Sequence, residues 1–150
     1  MCWPTQHRSD FLTLPLDGSA AWVYQRLSPA KRKRALTETL KRGYTRLHFD
    51  IFPNIAKKDY FADPTALVPF LQESVGAKLG PVIWLGPEDD KVSQAKYQGI
   101  KFTNQLKKFV PVVDAYVAEY MLGVEVEEYW TDDEVARIGT ELRKLTKKPI

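Results

Sequence analysis

Glu125 and Glu127 are the residues of this chain best placed to do chemistry. They stand at alternate positions near the end of Tyr120-Met121-Leu122-Gly123-Val124-Glu125-Val126-Glu127-Glu128-Tyr129-Trp130, a run that reads as a β-strand. In an extended chain, successive side chains point to opposite faces. Met121, Gly123, Glu125 and Glu127 therefore share one face, and Tyr120, Leu122, Val124 and Val126 the other. One face is apolar; the other turns acidic at its C-terminal end, directly before a helix start. Carboxylates there can donate and accept protons, and α/β sheets hold their ligands at the C-terminal ends of parallel strands. The competing reading is two solvated residues at a frayed strand end.

Acid-base chemistry on a bond needs a second group across from the first. Asp50, in the alternating run Arg46-Leu47-His48-Phe49-Asp50-Ile51-Phe52, and Glu88, in the loop Pro87-Glu88-Asp89-Asp90, are the carboxylates placed at strand ends that can pair with Glu125. Two carboxyl groups facing each other can act as an acid and base pair on a bond held between them. Trp84 and Trp130 lie near the same strand ends and would offer ring faces to a ligand; ordinary core packing is the alternative for both. His48 reads as a hydrogen-bonded spacer beside Asp50, and Glu127 as a further polar contact.

These residues are positioned by a regular alternation of elements. Phe11–Leu16 reads as a first strand interrupted by Pro15. Ser28-Pro29 caps a helix with Leu36 and Leu40 one turn apart and a stop at Gly43. Arg46–Phe52 is the second strand. Asp63-Pro64 opens a helix with an apolar stripe of Leu67, Phe70, Leu71 and Val75. The third strand is Val82-Ile83-Trp84-Leu85-Gly86, followed by a long polar segment to Gly99. Phe102–Val117 reads as a helix that Pro111 should kink or end early. After the glutamate-bearing strand, Thr131-Asp132-Asp133-Glu134 forms a capping box ahead of Val135, Ile138, Leu142 and Leu145. Lys147-Lys148-Pro149-Ile150 then approaches another strand.

A strand and helix repeated four times implies a parallel sheet joined by right-handed crossovers. The fold class is α/β: parallel βα repeats, four βα units forming a half or truncated (β/α)8 barrel. An open doubly wound sheet is the other architecture considered; its dinucleotide-binding form is disfavoured because no Gly-x-Gly-x-x-Gly follows a strand, and a P-loop is absent too. Polar residues alternating on one face, as His48, Asp50, Trp84, Glu125 and Glu127 do, suit a barrel interior.

Composition bounds the remaining possibilities. The 150 residues, 44% hydrophobic and 27% charged, are those of a single globular α/β domain spanning 1–150, here expected to be the N-terminal part of a larger barrel. The net charge of +3 is spread over several helices with acids between, which argues against a dedicated nucleic-acid protein. Lys31-Arg32-Lys33-Arg34 with Lys41-Arg42 reads as the solvated cationic face of an amphipathic helix. One cysteine, Cys2, and no Cys/His ligand spacing argue against a disulfide or a structural zinc site. No metal or cofactor is expected. Neither a membrane span nor a secretory signal is visible, so the chain is expected to be soluble, cytoplasmic or carried in a virus particle.

The sequence resembles the glycoside-hydrolase-like (β/α)8 barrels, including poorly characterised members encoded by bacteriophages. Three stretches carry the resemblance: Lys41-Arg42-Gly43-Tyr44-Thr45 leading to Asp50-Ile51-Phe52-Pro53, Pro81-Val82-Ile83-Trp84-Leu85-Gly86-Pro87, and Gly123-Val124-Glu125-Val126 followed by Tyr129-Trp130-Thr131. The resemblance implies hydrolysis of an O-glycosyl bond, with Glu125 matching the acid/base glutamate that ends the fourth strand and Trp84 and Trp130 as stacking surfaces for a sugar ring; that reaction needs two carboxyl groups about 5–5.5 Å apart for retention or about 6.5–9.5 Å apart for inversion. It also implies a nucleophile on a later strand, beyond Ile150; the asparagine often found beside the glutamate is absent here. A non-catalytic module that binds a glycan or another protein, as part of a phage virion, is the alternative. In either case, a half-barrel has open sheet edges that self-association or other subunits would cover.

Overall fold

The structure is a computed structural model that describes residues 9–10, 27–50, 64–85, 100–122, 126 and 130–150. Among the described residues four parallel strands lie side by side in chain order: β1 (Ser9–Asp10), β2 (Arg46–Asp50), β3 (Gly80–Trp84) and β4 (Glu119–Met121). Four helices are described between and after them: α1 (Pro29–Lys41), α2 (Pro64–Gly76), α3 (Ile100–Val113) and α4 (Asp132–Leu145). The α/β class and the parallel pairing expected from the sequence are thus both present. The expected first strand at Phe11–Leu16 lies outside the described residues.

Helix boundaries follow local chemistry. The Ser28 side chain accepts from the Lys31 backbone at the start of α1, Pro29 takes the first helical turn, and Gly43 leaves the helix at φ 81°. The Thr131 hydroxyl accepts from the Glu134 N–H, and the Glu134 carboxylate accepts from the Thr131 N–H at 2.9 Å, a complete capping box for α4. In α3, Pro111 has no N–H to continue the ladder, and the helix ends two residues later at Val113 rather than at Val117.

Leu47 and Phe49 of β2, Ile83 of β3, Leu85 just after it and Tyr120 of β4 all enter one hydrophobic core. Leu67 and Leu71 of α2, Leu106, Phe109, Val110 and Val113 of α3, and Ile138 and Leu142 of α4 complete it, so these helices cover one face of the sheet. The apolar stripes shift at two places. Ser74, not Val75, is buried on α2, its hydroxyl donating to the Leu79 carbonyl at 2.9 Å, and Val75 is 48% exposed. On α1, Leu36 is buried and Leu40 is 38% exposed.

Of the strand expected to run from Tyr120 to Trp130, residues 123–125 and 127–129 lie outside the described residues. β4 closes at Met121, and Val126 lies in a turn of 3₁₀ helix whose carbonyl accepts from the Trp130 N–H at 2.8 Å. Beyond α4 the chain returns to β4: the Tyr120 N–H donates to the Pro149 carbonyl at 2.9 Å. The predicted approach to a further strand therefore runs beside β4. Asp114 secures this return, accepting from the hydroxyls of Tyr120 and Thr146.

Candidate functional site

The second face of the sheet carries the polar residues. Strand register sets Arg46 beside Gly80, then His48 beside Val82 beside Glu119, then Asp50 beside Trp84 beside Met121. Neighbouring strands lie about 4.8 Å apart, so the last row sets the backbone of Asp50 beside Trp84 and Met121 at the C-terminal ends of three strands. Between the rows, the Trp84 Nε1–H donates to His48 Nδ1 at 2.7 Å, the two rings tilted by 57°.

This hydrogen bond defines the state of the histidine. A nitrogen that accepts carries no proton, so the neutral imidazole holds its proton on Nε2. Burial, with only 7% of the residue exposed, and secondly the positive charge of Arg46 two residues away, lower the His48 pKa from 6.5 to about 4. At neutral pH His48 is uncharged. In that state it accepts the Trp84 N–H.

Gly80 makes room at the other end of this face. A Cβ built there would stand 2.9 Å from the Ala118 Cβ and 2.9 Å from Arg46 Nη1, so the arginine stem crosses β3 only where no side chain exists. Arg46 Nε is buried without an acceptor among the described residues, and Nη1 makes one long contact, 3.5 Å, to the Thr45 carbonyl.

No family model, no curated protein and no solved structure matches the chain. Its site is therefore read from its own residues.

Of the expected site residues, the structure brings His48, Trp84 and the backbone of Asp50 together at adjoining positions. The side chain of Asp50 lies outside the described residues, as do Glu88, Glu125 and Glu127. Trp130 belongs to the hydrophobic core at 5% exposure, where its ring packs against the protein; the stacking surface expected of it is not offered to solvent here. Trp84 is only partly buried. Arg46 and Glu119 share the polar face and were not among the residues singled out from sequence. The signal was there: each sits two residues from a position already assigned to that face.

The described residues contain no cluster of three or more His, Cys, Asp or Glu side chains able to hold a metal. None of the described helices is long and apolar enough to cross a membrane. What the arrangement can do is present an aromatic surface at a fixed tilt, with a carboxylate-bearing residue alongside.

Proposed function

We propose that this chain folds as parallel βα units of a glycoside-hydrolase-like (β/α)8 barrel and takes a carbohydrate at the C-terminal ends of its strands. The observation that carries the proposal is the Trp84–His48 pair: a partly exposed indole whose N–H is held at 2.7 Å by a buried neutral imidazole, in register with Asp50. An indole held in one orientation offers its apolar face to the C–H surface of a sugar ring without first losing side-chain freedom. The sheet order β1-β2-β3-β4 supports the barrel reading, because strands added always on the same side place every right-handed crossover helix on one face. An open doubly wound sheet reverses direction and covers both faces.

In this proposal Glu125 is the proton donor, Asp50 is the second carboxylate or a substrate ligand, and Glu88 and Glu127 are further polar contacts. Trp130 takes no part, since its ring is enclosed in the core.

The test uses the full chain with a panel of oligosaccharides, following ligand resonances for binding and reducing ends for cleavage. Trp84→Ala should abolish binding, and Glu125→Gln should abolish cleavage while binding persists. Hydrolysis unchanged by Glu125→Gln would sink the catalytic assignment; binding that survives Trp84→Ala would sink the site. Binding without any cleavage by the unaltered chain would leave a glycan-binding module.

A further inference from the structure

We infer that Trp84 is an acid-sensitive arm of the site, released when a proton reaches Nδ1 of His48. What Trp84 binds rests on the carbohydrate reading; its release rests on side-chain geometry alone. The neutral imidazole carries its proton on Nε2, and Nδ1 accepts the indole N–H at 2.7 Å. Nδ1 is therefore the atom that a second proton must occupy. Once it does, two N–H groups face each other across a hydrogen-bond distance, and one ring must turn away.

Burial decides which ring moves. His48 is 7% exposed in the middle of β2, whereas Trp84 is only partly buried at the last residue of β3. Turning the indole outward brings water to the new charge, while moving the imidazole would disturb a packed strand. The charged neighbours are few. On β2, Arg46 and Asp50 stand two residues to either side of His48. β3 faces it with Val82 and Trp84, neither of which titrates, and β4 ends that row with Glu119, beyond Val82. On β1, Ser9 registers with Arg46 and Asp10 with the core residue Leu47. The described helices that build the core lie against the other face. Burial first and Arg46 second hold the His48 pKa at about 4, so the arm is fixed at neutral pH and freed as pH falls through that value. A freed indole must lose its rotational freedom again to stack on a sugar, and binding weakens accordingly.

The experiment takes the full chain from pH 7 downward through the His48 titration and follows the indole N–H resonance of Trp84, identified by its loss in Trp84→Phe. Cellohexaose, chitohexaose and maltohexaose are the binding probes, and circular dichroism at each pH reports folding. The indole resonance should move with the same midpoint as the imidazole of His48. The affinity for a probe that binds at pH 7 should fall about twofold at that midpoint and about tenfold one pH unit below it. His48→Gln keeps an acceptor oxygen but gains no proton, so both changes should disappear. Trp84→Phe has no N–H to release and should bind more weakly, without following the His48 titration. An indole resonance that stays still while His48 titrates would overturn the inference. So would undiminished acid weakening in both variants, or changes that coincide with loss of the folded circular dichroism signal. Failure of all three sugars to bind at pH 7 would defeat the carbohydrate reading instead, and the release of Trp84 would then stand or fall by its resonance.

Discussion

Trp84 donates its indole N–H to Nδ1 of His48 across 2.7 Å, joining neighbouring parallel strands through their side chains on the polar face of the sheet. The bond exists only while the imidazole is neutral, because a protonated Nδ1 has nothing to accept with. Stability is therefore linked to pH.

His48 titrates near 6.5 when unfolded and near 4 when folded. Between these values the unfolded chain binds a proton that the folded chain does not, so acid favours unfolding. The contribution is fully present above about pH 6.5, falls as pH drops through the window and levels off below about 4. Its size is at most about 3 kcal/mol. Denaturation at pH 7 and pH 4.5 should show this loss, and His48→Gln should remove the part due to His48. Trp84→Phe should raise the His48 pKa, read from the imidazole proton shifts. An unmoved histidine titration would show that the indole bond does not govern it.

Gly80→Ala should destabilise the protein by about 1–3 kcal/mol, the usual cost of overpacking. Of the two contacts at 2.9 Å, Arg46 Nη1 is the end of a flexible chain and can move, whereas the Ala118 Cβ is fixed to the backbone. Adding Arg46→Ala should consequently recover little. Adding Ala118→Gly should recover more, and the reverse order in urea unfolding would place the strain at the arginine.

Replacing Asp114 by alanine should cost about 1–3 kcal/mol, because the fully buried Tyr120 loses the acceptor for its hydroxyl. Thr146 is released by the same change. Loosening should spread to the hydrogen bond between the Tyr120 N–H and the Pro149 carbonyl, so hydrogen exchange at the Tyr120 amide should accelerate. Exchange there as slow as in the unaltered chain would separate the two features.

Thr131→Ala should cost about 1 kcal/mol through loss of the α4 cap. Thr131→Ser keeps the hydroxyl and should retain most of it. Matched thermal melts of the two variants measure the difference.

Local sequence determined the elements whose ends are written in short-range chemistry. Ser28-Pro29 and Thr131 with Glu134 start helices because their side chains satisfy backbone groups three residues away, a relation needing no tertiary partner. The alternation in β2 likewise assigned Leu47 and Phe49 to the core and His48 to the polar face, since the pleat alone dictates it. The neighbourhood of His48, Asp50 and Trp84 was legible to the same extent, since period and strand order set all three toward the ends of adjoining strands.

Tertiary structure decided the rest. Periodicity made Leu40 and Val75 core residues, yet whether an apolar stripe is covered depends on how closely the next helix approaches, and these two remain exposed. Trp130 had equal local claims to the core and to a ligand; packing against residues distant in sequence put it in the core. The bond between Trp84 and His48 joins residues 36 positions apart, and only the parallel register of β2 and β3 brings a donor of one strand to an acceptor of the other.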